Sequence, residues 1–103
     1  QVVPFPWART PAIVRDYRIA LEKADPKAEP SFSSLEGYIN ARVLTMALER
    51  AGPRVTRASL MSALESMRDV DLGGIRLRYS PTEHTGLTYV DTVVVKSNGQ
   101  FVH

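Results

Sequence analysis

The residues best placed to do chemistry lie in the run Pro30-Ser31-Phe32-Ser33-Ser34-Leu35-Glu36-Gly37-Tyr38-Ile39-Asn40-Ala41. Ser33 followed by Glu36 fits the S-x-x-E capping box, with Ser33 as N-cap and Glu36 three residues on. The turn gathers hydroxyls, a carboxylate and an aromatic ring at a helix N-terminus. Free N–H groups there, together with hydroxyls, can hold a small carboxylate. Phe5, Trp7 and Phe32 would supply an apolar wall beside it. The plainer account is also complete. Glu36 closes the cap and is stabilised by the helix dipole, Ser33 and Ser34 are caps, and Tyr38 packs in the core with its hydroxyl partnered. Pattern alone leaves both accounts open.

The rest of the chain offers little for catalysis. A nucleophilic triad needs Ser or Cys, a His and an orienting acid within mutual reach. The histidines are His84, in a loop, and His103, at the end of the sequence, and no G-x-S-x-G elbow occurs. The expectation is a protein that is not an enzyme. Glu83-His84 could touch a metal, but two adjacent residues without further ligands make a solvated loop the better account, so neither metal nor cofactor is expected. Gly73-Gly74 lacks the P-loop Lys and the G-x-G-x-x-G spacing, and is a helix stop and strand entry instead.

These residues need elements to position them. Gln1–Phe5 is a short β-like run. Thr10-Pro11 predicts a helix start, with Thr10 as N-cap and Pro11 at the first helical position. Ile13, Val14, Tyr17, Ala20, Leu21 and Ala24 make one apolar face, and Asp25-Pro26 ends the helix. After the polar linker Lys27–Pro30, Ser31–Ser33 could form a short strand. The next helix runs to about Ala51, stopped by Gly52-Pro53. Its apolar residues cover most of the circumference, which asks for burial on two sides. Thr56 caps a third helix with Leu60, Met61, Leu64 and Met67 inward. Ile75–Tyr79 alternates apolar and basic residues, a half-buried strand. Ser80–Gly86 is a loop, and Leu87–Val95 is strand-like and buried at Val93-Val94-Val95. Ser97-Asn98-Gly99 turns the chain into a returning strand at Phe101-Val102. The fold class is α/β: two helices follow short strands in the first half, as on a parallel sheet, and an antiparallel hairpin closes the chain.

Composition bounds the partners. One hundred and three residues suffice for one small domain, with 44% apolar and 23% charged residues and a net charge of +2. Ten of the thirteen basic residues are Arg, interleaved with eleven acids, so no phosphate-tracking stripe forms and nucleic acid is not an expected partner. With no Cys there are no disulfides and no thiol chemistry. No apolar run approaches the ~20 residues of a membrane span, and no signal peptide is present. A start at Gln1 inside an apparent strand suggests a piece of a longer product.

Three segments together carry a resemblance. They are Val2-Val3-Pro4-Phe5-Pro6-Trp7; Pro30-Ser31-Phe32 to Glu36-Gly37-Tyr38 with the helix to Arg50-Ala51-Gly52; and Asp71-Leu72-Gly73-Gly74 to Ser80-Pro81-Thr82-Glu83-His84-Thr85-Gly86. In order and spacing the chain resembles the C-terminal third of bacterial ABC-transporter periplasmic solute-binding proteins of the leucine/isoleucine/valine-binding type. The resemblance implies two α/β lobes with the ligand in the cleft between them. It implies an amino acid or related small carboxylate or amide as ligand, a membrane permease as partner, and a periplasmic or extracytoplasmic location. Residues 1–90 would then be the last return into the first lobe, and 91–103 the crossing strand and hairpin of the second. Carried over, the cleft lining from this segment is Phe32, Ser33, Ser34, Leu35, Glu36 and Tyr38. The family's amine-binding acid and main carboxylate-holding hydroxyls lie upstream. The isolated chain would self-associate through faces made for missing elements. The alternatives are a ligand-sensing lobe of a cytoplasmic regulator with this fold, or a self-standing α/β interaction module.

Overall fold

The computed structural model describes residues 2–103. Three helices come first: α1 (Ala12–Ala24), α2 (Phe32–Ala51) and α3 (Arg57–Glu65). Four two-residue strands follow: β1 (Val70–Asp71), β2 (Arg76–Leu77), β3 (Val94–Val95) and β4 (Phe101–Val102). β1 pairs antiparallel with β2, and β3 with β4. No parallel ladder forms among the described residues.

α1 starts differently from its sequence signal. Pro11, not Thr10, is the N-cap, after a cis Thr10–Pro11 bond, and no side chain caps the helix. The helix is capped from a distance: the Ile13 N–H donates to the Gly73 carbonyl at 2.9 Å. A first-turn N–H has no partner inside its own helix, so a buried helix start must find one elsewhere. Gly73 and Gly74 make that approach possible, both at positive φ (109° and 94°). A Cβ on Gly73 would lie 2.9 Å from the Ile13 nitrogen, and one on Gly74 2.3 Å from Pro11 Cβ. The turn that aims them is held by the Asp71 carboxylate, which accepts from the Gly73 and Gly74 N–H groups at 2.9 and 2.8 Å. The helix break falls earlier than this glycine pair, at Ser66.

α3 begins as expected, with a capping box in which Thr56 and Ser59 each accept the other's backbone N–H. Arg50 reaches from α2 to the far end of α3 and donates to the Ser66 carbonyl and hydroxyl at 3.2 and 3.1 Å. Met67 is buried just past that end, but Met61 is 46% exposed, and Ala63 takes the inward position. α2 ends where Gly52, at φ 82°, returns its N–H to Leu48.

One core joins these elements. It contains Val3, Ile13, Val14, Tyr17, Leu35, Ile39, Ala47, Met67, Leu72, Ile75 and Leu77. The alternation expected in the 75–79 strand is present, Ile75 and Leu77 inward and Arg76 and Arg78 outward. Asp69 pairs with both arginines, at 2.7 and 3.5 Å. Three other expectations fail. Residues 2–5 are not a strand and Gln1 lies outside the described residues, although Val3 and Pro4 are buried. Ser31–Ser33 is the start of α2, not a strand. Val94 and Val95 are 65% and 58% exposed, because each face of an isolated two-residue ladder is open to water.

The apolar circumference of α2 is covered on one side only. Leu35, Ile39 and Ala47 are buried, while Leu44 and Leu48 remain exposed. The radius of gyration is 15.5 Å. A compact domain of this length has about 13 Å. The chain is thus more open than its residue count requires.

Candidate functional site

The start of α2 is capped by Ser31, two residues before the expected Ser33. The Ser31 hydroxyl accepts the Ser34 N–H at 3.1 Å. Ser34, not Glu36, therefore occupies the third helical position, and Glu36 is exposed with no capping role. The Ser31 N–H is taken by the phenol of Tyr17 on α1 at 3.1 Å, and that phenol also meets the Ser34 hydroxyl. The S-x-x-E signal misleads because Ser31-x-x-Ser34 competes for the same helix start, and Tyr17 supplies the oxygen that a Glu would otherwise bring.

The helix start sends its residues in four directions. Leu35 is fully buried in the core. Ser34 and Tyr38 turn toward α1, the Tyr38 ring tilted against Tyr17 with centroids 5.8 Å apart. Ser33 and Glu36 face solvent. Phe32 turns the other way, into a cluster of rings. Its centroid lies 6.3 Å from Phe5, 5.9 Å from Trp7 and 5.3 Å from Phe101. The structure thus joins Phe32 to the expected wall of Phe5 and Trp7, and adds Phe101 and His103, which sequence reasoning missed. The Ser97–Gly99 turn predicts the hairpin that carries both. Nothing local says that it folds back over Trp7.

The cluster is half-open. Trp7 is 40% and Phe101 37% exposed, and a cavity of about 510 Å³ lies against Phe5, Trp7, Gly99, Gln100 and Phe101. Volumes of this order suit small-molecule ligands. The Trp7 and Phe101 rings are near-parallel, 19° apart in plane. His103 stacks on Phe5 and pairs with Asp91 at 2.8 Å. Asp91 also accepts from the Tyr89 hydroxyl and the Thr92 N–H. The His103 hydrogen bond, with help from Thr92, holds the Asp91 carboxyl below the usual carboxylate range. Burial, and then the Asp91 charge, push the Tyr89 phenol up.

No comparable convergence occurs around the other candidates. Glu83 accepts the Thr85 N–H at 2.8 Å, while His84 turns to Glu65 at 3.3 Å. Among the described residues no three His, Asp or Glu side chains gather as metal ligands, and no helix is long and apolar enough to cross a membrane.

Helices beside short antiparallel strand pairs, with a half-open ring cluster that includes the first residue of α2, make a frame that known proteins share. The periplasmic binding protein family matches residues 1–100, and the chain belongs to that family. Three solved structures are similar over nearly the whole chain. A possible leucine/isoleucine/valine-binding protein from Rhodopirellula baltica SH 1 shares 35% identity over 100% of this chain and 28% of its own, with a TM-score of 0.89. An extracellular ligand-binding receptor from Verminephrobacter eiseniae ef01-2 shares 30% identity over 100% of this chain and 29% of its own, at 0.82. A substrate-binding periplasmic protein from Ralstonia solanacearum shares 31% identity over 99% of this chain and 30% of its own, also at 0.82. The chain therefore spans less than a third of the length of the structures it matches. No curated protein matches it.

Proposed function

We propose that this chain contributes one wall of the ligand cleft of a non-enzymatic, extracytoplasmic solute-binding protein. Its ligand is an amino acid or a related small carboxylate or amide, which the protein delivers to the membrane permease of an ABC importer. The observation that carries the reading is the placement of Phe32. It opens α2, its ring is part of the half-open Phe5–Trp7–Phe101 cluster, and the exposed Ser33 follows it. An apolar side chain of the ligand would lie on the rings. The Phe32 and Ser33 N–H groups and the Ser33 hydroxyl at the helix start would face its carboxylate. Ser34, Leu35 and Tyr38 would act from behind, by holding the helix start against α1 and the core, and Glu36 would sit at the rim. Residues 1–90 would belong to one lobe and 91–103 to the crossing into the other, with the ring contacts of Phe101 and His103 spanning the junction.

The test is calorimetric titration of the native-length protein with leucine, valine, phenylalanine and their amides. Saturable binding of at least one is expected. Phe32→Ala should weaken it by about tenfold or more, the loss expected on removing a buried aromatic contact. If none binds, or if Phe32→Ala leaves affinity unchanged, the reading fails.

A further inference from the structure

A second opening shares no residue with the ring cluster. It is a groove of about 580 Å³ between α1, the segment at Ala8-Arg9 and the α1–α2 linker at Pro26, Ala28 and Pro30. Arg15, Arg18, Ile19 and Glu22 stand at i, i+3, i+4 and i+7 on α1, so they form one stripe along the groove. Three arginines line it against a single acid, Glu22. Ile19, between them, is 53% exposed. Arg15 is 4.0 Å from Asp16, while Arg9 and Arg18 make no ion pair among the described residues. Of the other arginines, Arg76 and Arg78 hold Asp69 and Arg50 closes the end of α3, while Arg42, Arg54, Arg57 and Arg68 are exposed and make no ion pair among the described residues; the groove differs in gathering three arginines and an exposed isoleucine in one opening.

An exposed isoleucine that shares a groove with three guanidinium groups has a defined complement. Apolar surface left in water is stabilised by a partner that covers it, and guanidinium groups pair with carboxylates in a planar, two-bonded geometry. The stripe from Arg15 to Glu22 runs about 10 Å along α1, so it suits an extended segment of a few residues more than a compact small ligand. We propose that this groove docks an acidic segment of another protein, one carrying two or more carboxylates that flank a leucine-like side chain. The carboxylates pair with Arg9, Arg15 and Arg18, and the apolar side chain covers Ile19. Steering by the positive rim raises the encounter rate, and it weakens with salt because both partners are solvent-exposed. The proposal is independent of the ligand cleft.

The test uses fluorescence anisotropy of a fluorescein-labelled peptide of alternating Glu and Leu against the native protein at low salt. Saturable binding is expected. The double reversal Arg15→Glu/Arg18→Glu should weaken it by about tenfold or more, and Ile19→Ser by about fivefold. Arg57→Glu, an exposed reversal on α3, should change it less than about twofold. All four positions are on the surface, and circular dichroism verifies that each variant is folded. No binding of the peptide overturns the proposal. So does an equal loss with Arg57→Glu, which marks diffuse attraction, and so does indifference to Ile19→Ser. Cosedimentation with phosphatidylglycerol vesicles that is lost on the double reversal, without peptide binding, assigns the groove to a lipid surface and overturns it as well.

Discussion

The Tyr17 phenol on α1 accepts the Ser31 backbone N–H at 3.1 Å, across fourteen residues of sequence. The same oxygen meets the Ser34 hydroxyl, whose own N–H is held by Ser31. The start of α2 is thus sealed by a side chain from another helix, and the orientation of Phe32 at the proposed cleft depends on that seal. Replacing Tyr17 by Phe keeps the ring in the core and leaves the Ser31 donor without its partner. A loss of about 1–2 kcal/mol is expected, since removing one partner costs the desolvation of the other. Urea denaturation measures it. In a double-mutant cycle with Ser34→Ala the two losses should be non-additive, because both act on one network. Strict additivity would show that the phenol does not couple to the cap.

The glycines divide by surroundings. Gly73→Ala and Gly74→Ala each combine positive φ with contact against Ile13 or Pro11, so each should destabilise by about 2 kcal/mol or more. Gly99→Ala has the same backbone problem at φ 83° but meets open space, and should cost only about 1 kcal/mol. Gly37→Ala, exposed inside α2 with nothing within 4 Å, should stabilise by about 0.5–1 kcal/mol. Thermal melts of the four variants would rank them, and a different order would contradict the packing at the α1 start.

Acid should loosen the Asp71 turn. The Gly74 and Gly73 N–H groups, in that order, hold the Asp71 carboxyl below its ordinary range. A depressed carboxylate contributes stability that is present above its unfolded pKa and lost as pH falls through the folded value. Stability from this turn is therefore full at neutral pH and declines below about pH 4. Asp71→Asn should lower the melting temperature at pH 7, and the gap between variant and parent should close on acidification. A gap that stays constant to the acid limit would place the loss in shape, not charge.

The isolated 103-residue chain should self-associate. Leu44, Leu48 and Met61 are 49%, 39% and 46% exposed on α2 and α3, and exposed apolar side chains favour association when they adjoin. Sedimentation velocity should show mass rising with concentration, and Leu44→Glu with Leu48→Lys should reduce it. A monomer at every concentration would argue that this surface needs no cover.

Helix periodicity and punctuation were enough to place three helices and the final hairpin. Gly52 after α2, Thr56 before α3 and Ser97-Asn98-Gly99 before β4 act through their own backbone preferences, and neighbours in sequence suffice for that. The ring cluster was half legible: Phe5, Trp7 and Phe32 could be grouped as a wall, but Phe101 and His103 could not be added to it. The cap of α2 shows why the rest was hidden. Ser31 and Ser33 are both acceptable N-caps locally, and the choice between them was made by Tyr17 from α1. In the same way the start of α1 was decided by the Gly73 carbonyl sixty residues on. The exposure of Val94 and Val95 depends on which neighbours cover them. Sequence determines what each residue can do with the next few; which of those options is realised depends on groups brought together by packing, and only the tertiary structure contains them.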